Sequence, residues 1–210
     1  MQCTEPNLDI SLINELQWEK EFYFIGDICY LGQQPNKFNH ITEWKRCLLT
    51  HQIISTRVPC EHIFQFNIAL KIYFLLWIDN SLIKAAEMQA FRALEGALKN
   101  AYFIKLFDAE QEKREKSRAD NNCSKNEIKK CSFCAKIKRE NYHPTLYDYL
   151  DYMSIHDDFS RNRWSNDQEQ NLNKTKDPSA LHRIRNDLAH GEIPNCLPWG
   201  GLLNVVRDVI

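Results

Sequence analysis

Apolar residues recur at helical spacing along most of this chain. From Leu8 to about Leu31 they fall at Leu12, Leu16, Phe22, Ile25 and Cys29, which predicts a helix that Gly32 and Pro35 end. A second helical run covers about 39–55, with Ile41, Trp44, Leu48, Leu49 and Ile53 on its apolar side. Pro59 opens a third, apolar on almost every side through Trp77, as expected of a helix in the middle of a bundle. The clearest helix is 81–107, where Ile83, Ala90, Ala97 and Ile104 repeat every seven residues with Leu94 and Ala101 between them. Alanines concentrated on one face let a neighbouring helix approach closely.

At Asp108 the pattern changes. Residues 108–144 are polar and charged and read as an insertion. A short aromatic helix follows in "TLYDYLDYM", where Tyr147, Tyr149, Leu150 and Tyr152 suit packing against the bundle, and then a polar linker. Another helix is predicted from Pro178, with Asp177 as N-cap, to Gly191 and Pro194. A last helix covers about 202–210. The expectation is an all-α bundle in which no strand is needed. It comprises an N-terminal helical extension (1–58) and a helical domain (59–210) interrupted by the insertion.

Composition narrows the class. A chain of 210 residues buries one good core, or a core plus an appendage. Hydrophobic residues at 43% and charged residues at 26% fit a soluble globular protein. Six glycines leave little for a phosphate-cradling loop, and a net charge of −1 excludes coating nucleic acid through bulk charge. The N-terminus "MQCTEPNLDI" has no signal-peptide pattern. The most apolar run is broken by Gln65, Asn67 and Lys71 and is too short for a membrane span. Of eight cysteines, Cys3, Cys29, Cys47 and Cys60 are scattered in mostly apolar helical context, where reduced thiols are expected. These features point to a cytoplasmic protein.

One stretch carries chemistry. In "ALHRIRNDLAHGEIP" (180–194), Leu181, Ile184 and Leu188 form an apolar stripe on a helical wheel. Arg185 lies at its margin, and Ala189, His182, Asn186 and His190 follow round the polar side. A guanidinium fork, an amide and an imidazole on one side suit a phosphodiester. Arginine grips phosphate oxygens in bidentate fashion, and histidine moves protons near neutral pH. Arg-x4-His occurs three times, where composition predicts roughly 0.4. Arg46–His51 has apolar residues between its ends, and Arg57–His62 straddles Pro59. Only Arg185–His190 joins a polar residue after the arginine to an amphipathic helix and a glycine stop. The structural alternative is an ion pair from Arg185 to a core carboxylate such as Glu95, with His190 closing the helix.

With "FRALEGALKNAY" on the preceding long helix, "IRNDLAHG" resembles the HEPN domains, whose signature is Arg-x4–6-His. The resemblance covers about 60–195 and implies a four- to five-helix bundle, here with extra N-terminal helices and a charged, cysteine-containing insertion. It implies a homodimer that brings two motifs into one cleft. It also implies a metal-independent endoribonuclease of a toxin–antitoxin or antiviral defence system, acting on RNA with no cofactor for catalysis. An antitoxin or regulatory protein is an expected partner, and no membrane is. Carried over, Arg185 binds the scissile phosphate, Asn186 orients the phosphate or the histidine, and His190 transfers a proton. Beside the resemblance, the residues themselves offer His182 on the polar side and Glu95 on the long helix as supporting groups, Glu95 as a carboxylate to orient the arginine or the histidine. The tyrosine that often follows the histidine by two residues is replaced by Glu192, which argues against neutralisation by its modification. Some HEPN domains are instead non-catalytic modules for nucleotide binding or dimerisation, and that remains the competing reading.

The insertion adds two candidates. Cys131 and Cys134 form a Cys-x2-Cys half-site that Cys123 and His143 would complete as a structural zinc site; a solvated loop with free thiols is the alternative. From Lys125 to Arg139 there are six basic residues against Glu127 alone. Lys129, Lys130, Lys136, Lys138 and Arg139, with Phe133 among them, read either as an RNA-tracking patch or as a solvated face. His156, Asp157 and Asp158 are too close in sequence to converge on a metal from a helix and read as a polar helix end.

Overall fold

The structure, a computed structural model, describes residues 6–13, 15–24, 36–120, 135–157 and 201–210. The chain divides into two compact units, Met1–Ala97 with Asn162–Ile210, and Leu98–Arg161. The described residues are mostly helical, as the periodicity predicts, but not wholly so. The spacing over 8–31 predicts a helix and no strand. Instead the first unit forms single 3-10 turns at Ile10–Leu12 and Glu15–Gln17 and then strand β1 (Glu19–Phe24). β1 pairs antiparallel with β2 (Asn36–His40), with Phe22 opposite Phe38, Tyr23 opposite Lys37, and an irregularity between Glu19 and Phe22.

The reason lies in the side chains of "EKEFYF". Phe22 is buried while Glu21 and Tyr23 on either side are exposed, a period of two that serves a strand and not a helix. Leu8 and Ile13 are buried as apolar positions should be, yet outside any α-helix. Phe22 meets Trp44 at 5.0 Å and Trp77 at 5.4 Å between ring centroids, and Phe38 meets Trp44 at 5.3 Å. Each indole spends its N–H on a main-chain carbonyl: Trp44 on Tyr73 (3.2 Å) and Trp77 on Gln17 (2.6 Å). The rings are therefore buried without an orphaned donor.

β2 runs directly into α1 (Ile41–Leu49) through a capping box. The His40 ring accepts from the Thr42 N–H, and the Glu43 carboxylate accepts from the Asn39 and His40 N–H groups. α2 (Cys60–Leu75) starts after Pro59 and buries His62, Ile63, Phe66, Asn67, Ala69, Leu70, Tyr73 and Phe74, which fits the expected central helix. α3 (Ile83–Asp120) begins beside it, with Ala86, Ala90 and Ala93 buried. A Cβ on Gly96 would lie 3.4 Å from the His62 Nδ1, so the absent side chain leaves room for that ring. Gln89 donates to the Gln65 side chain at 2.9 Å, a further tie between α2 and α3.

The composition change at Asp108 falls inside α3, which continues to Asp120. In the second unit this later part of α3 supports the segment 135–143, which leads to α4 (Leu146–His156). Thr145 and Asp148 form a capping box, and Leu146, Tyr149, Leu150 and Met153 fall at helical spacing on the buried side. α5 (Gly201–Val209), in the first unit, buries Leu203 and Val206, and its Arg207 donates to the Thr50 carbonyl at 3.1 Å. The helix expected over about 177–191 lies outside the described residues.

Candidate functional site

Arg185, Asn186, His190 and His182 all lie outside the described residues, as do Lys129, Lys130, Cys123, Cys131 and Cys134. The described candidates are Glu95, Lys136, Lys138, Arg139 and His143.

The two other Arg-x4-His pairs resolve into ordinary structural roles. His51 is buried and its Nδ1 donates to the Cys47 carbonyl at 3.0 Å, satisfying the end of α1, while Arg46 is exposed. His62 is a core residue of α2, and Arg57 is exposed ahead of Pro59.

Glu95 is half-buried on α3. The carboxylate that α3 takes fully into the core is Glu87, at 2% exposure, with Lys84 Nζ at 3.3 Å. Its charge reaches Tyr73 on α2, whose phenol is pushed up first by complete burial and then by Glu87. The sequence pattern does contain a signal for Glu87, one that the motif-led choice of Glu95 misses. On a helical wheel Glu87 falls between Leu94 and Phe91 in the middle of the buried stripe, whereas Glu95 falls beyond Phe91 at the margin.

The basic segment has a definite form. Ala135 and Ile137 are half-buried, and their carbonyls accept from Arg114 (2.9 Å) and Gln111 (2.7 Å) of α3. Lys136 and Lys138 alternate with them and are exposed. Arg139 stands 5.5 Å from the centre of the Phe107 ring, inside a cluster with Phe103 and Tyr142. Tyr142 donates to the Leu106 carbonyl at 3.4 Å, and burial raises its phenol's pKa. Lys138 also lies 3.5 Å from Glu140. Three cations are thus displayed on a backbone pinned to α3 by side-chain hydrogen bonds.

His143 is exposed just beyond the 3-10 turn Arg139–Asn141. It is the one member of the suggested zinc set within the described residues, so the set's convergence lies outside them. His156 ends α4 and stacks on Tyr152 at 4.1 Å. Asp157 accepts from the Tyr102 hydroxyl. Burial, and then that carboxylate, keep Tyr102 protonated far above the usual phenol range.

Cys47 is reduced, as expected. Cys60 is not: it is disulfide-bonded, contrary to the reduced state that its apolar surroundings suggest. Burial and helical spacing report on packing and carry no information about whether a second sulfur lies within bonding reach.

No protein-family model matches the chain, and neither a curated protein nor a solved structure shows significant similarity to it. No described helix is long and apolar enough to cross a membrane.

Proposed function

We propose that the chain is a metal-independent endoribonuclease of HEPN type, acting as a homodimer in a toxin–antitoxin or antiviral defence system. The observation that carries this reading is the sequence "RNDLAHG", whose helical spacing predicts that Arg185, Asn186 and His190 share one polar side. The alanine-faced packing of α3 and the exposed cations of 135–139 support it.

In the proposed reaction His190 takes the proton of a ribose 2′-hydroxyl. The 2′-oxygen attacks the adjacent phosphorus while Arg185 and Asn186 hold the phosphate and stabilise its growing charge. The bond from phosphorus to the 5′-oxygen breaks, that oxygen takes a proton from water, and His190 returns the proton it accepted to solvent. The products are a 2′,3′-cyclic phosphate and a 5′-hydroxyl, so DNA is spared. Lys136, Lys138 and Arg139 track the RNA backbone. The proposed compartment is the cytoplasm, where this RNA resides; the Cys60 disulfide is the feature that pulls against it. An antitoxin or regulatory protein is the expected controlling partner, and Cys123, Cys131, Cys134 and His143 are offered as a structural zinc set only.

The test is incubation of wild-type and Arg185→Ala protein with total RNA in EDTA, followed by mapping of product ends. Cleavage by wild type alone, with cyclic phosphate ends, supports the reading. Absence of cleavage in His190→Ala with dimerisation retained assigns the proton transfer. A dimer that cleaves nothing, whatever occupies 190, moves the assignment to a non-catalytic binding module. Replacing Lys136 and Lys138 with Ala is expected to flatten the dependence of RNA affinity on salt. The change should be about one unit of log–log slope for each phosphate that is no longer neutralised.

A further inference from the structure

The first unit contains a cavity of about 550 Å³ lined by Ile10, Ser11, Ile13, Glu15, Trp18, His40 and Thr42. That volume falls in the range of small-molecule sites, roughly 300–1,000 Å³. Its walls combine apolar surface with a few polar groups whose hydrogen-bonding state can be worked out. The Trp18 indole N–H is spent on the Ile13 carbonyl at 3.1 Å and its ring meets His40 edge to face at 6.5 Å between centroids, so what Trp18 adds to the lining is carbon surface. His40 accepts the Thr42 backbone N–H on Nδ1 at 3.1 Å. An amide N–H can only donate, so Nδ1 is unprotonated and the neutral ring carries its proton on Nε2. That Nε2–H has no partner among the described residues, and neither has the exposed Glu15 carboxylate. The cavity therefore presents an aromatic wall, the imidazole N–H, the Glu15 carboxylate and the hydroxyls of Ser11 and Thr42, of which Thr42 is engaged with His40 Nδ1 at 2.7 Å.

No lysine or arginine is among the described lining residues, and Glu15 brings a carboxylate, so the described lining offers a phosphate no cation to pair with. The chemistry calls for a flat, uncharged heterocycle with two adjacent donors for the carboxylate and an acceptor for the imidazole N–H. Guanine has that edge: its ring N–H and exocyclic amine lie side by side and suit a carboxylate, and its carbonyl and imidazole nitrogen accept. Adenine lacks the paired donors, and hypoxanthine lacks the amine. We propose that this cavity is a binding site for a guanine base, stacked on Trp18 and read by Glu15 and His40. The base belongs either to free guanosine or to an unpaired nucleotide of an RNA strand. The proposal stands whether or not the chain cleaves RNA, because it rests on this cavity and not on Arg185 or His190.

The test is calorimetric titration of the full chain with guanosine, inosine and adenosine, and with 2′-O-methyl UUGUU and UUAUU, which 2′-hydroxyl attack cannot cut. Guanosine is expected to bind about tenfold or more tighter than inosine or adenosine, the discrimination typical of one bidentate contact. Glu15→Gln is expected to remove that preference. Glu15 is exposed and its carboxylate makes no hydrogen bond among the described residues, so folding is expected to survive. Trp18→Phe, with a smaller stacking surface, should weaken all three nucleosides together. UUGUU binding tighter than guanosine identifies a strand as the source, and guanosine binding without UUGUU identifies the free nucleoside. Failure of both to bind overturns the proposal. So does equal affinity for guanosine and adenosine, a preference unchanged in Glu15→Gln, or tighter binding of a simple organic cation such as tetramethylammonium.

Discussion

Helix α3 is one element with two characters. Before Leu98 it buries Ala86, Glu87, Ala90, Phe91, Ala93 and Leu94, and Leu98 itself is the last residue it takes out of solvent. From Lys99 to Ala119 none of its residues is buried. The first part buries alanines and larger apolar side chains beside α2, where Gln89 bonds Gln65 and Gly96 leaves room for the His62 ring. The second is held by specific contacts at its flanks: aromatic edges, a guanidinium over a ring, and glutamine and arginine donating to the carbonyls of 135–137. The difference shows that a helical backbone serves as core where its residues are buried and as a rail for a surface segment where they are not.

The sharpest way to break that comparison is to delete an aromatic ring in each region. Trp44 is fully buried in the first unit, so Trp44→Ala is expected to cost about 4 kcal/mol. Tyr142→Ala in the second unit removes a half-buried ring and is expected to cost about 1 kcal/mol. Chemical denaturation of both variants measures the gap, and equal destabilisation would mean that the second region is as tightly cored as the first. A gentler probe uses one substitution twice along α3. Ala90→Leu pushes an extra side chain into close packing and is expected to cost about 1–3 kcal/mol. Ala101→Leu, on the exposed part, should fall within about 0.5 kcal/mol of wild type. Similar melting temperatures for the two variants would count against the distinction.

The smallest effect concerns the caps. The Asn39 and His40 N–H groups, Asn39 first, hold the Glu43 carboxyl below the usual range. A group whose pKa is lower folded than unfolded contributes stability above the unfolded value. That contribution disappears as pH falls through the folded one. The melting temperature of wild type is therefore expected to fall between about pH 5 and pH 3 more steeply than that of Glu43→Gln, which keeps an acceptor but does not titrate. Parallel acid profiles for the two proteins would rule out Glu43 as a contributor.

Much of the fold is legible in the sequence where helical spacing and cap chemistry agree. Thr145, Asp148 and the spacing of Leu146, Tyr149, Leu150 and Met153 mark α4 from residue types alone. The alanines of α3 likewise anticipate its packed half. The strands are not legible, because Leu12, Leu16 and Phe22 satisfy a helical template as well as they satisfy turns followed by a strand. Alternation about Phe22 alone decides it, over too few residues to outweigh the longer pattern. His40 as an N-cap is also hidden, since serine, threonine, aspartate and asparagine are the usual signals. Ile104 shows the limit from the other side: it continues the seven-residue repeat of Ile83, Ala90 and Ala97, yet is 55% exposed. Periodicity marks which residues share a face, and the chain's other elements decide whether that face is covered. Arg185, Asn186 and His190 are read from the motif alone and lie outside the described residues, and the carboxylate that α3 buries is Glu87, where the motif-led choice is Glu95.

His40 carries a consequence for how this protein can drift. The same imidazole closes the N-terminus of α1, sits opposite Glu19 in the sheet register and forms a wall of the cavity. Serine or aspartate at 40 would preserve the cap and lose the ring. Phenylalanine would preserve the ring and lose the cap, and none of the three would keep the Nε2–H. In a saturation library selected for both folding and ligand retention, position 40 should accept fewer replacements than any of its neighbours in β2.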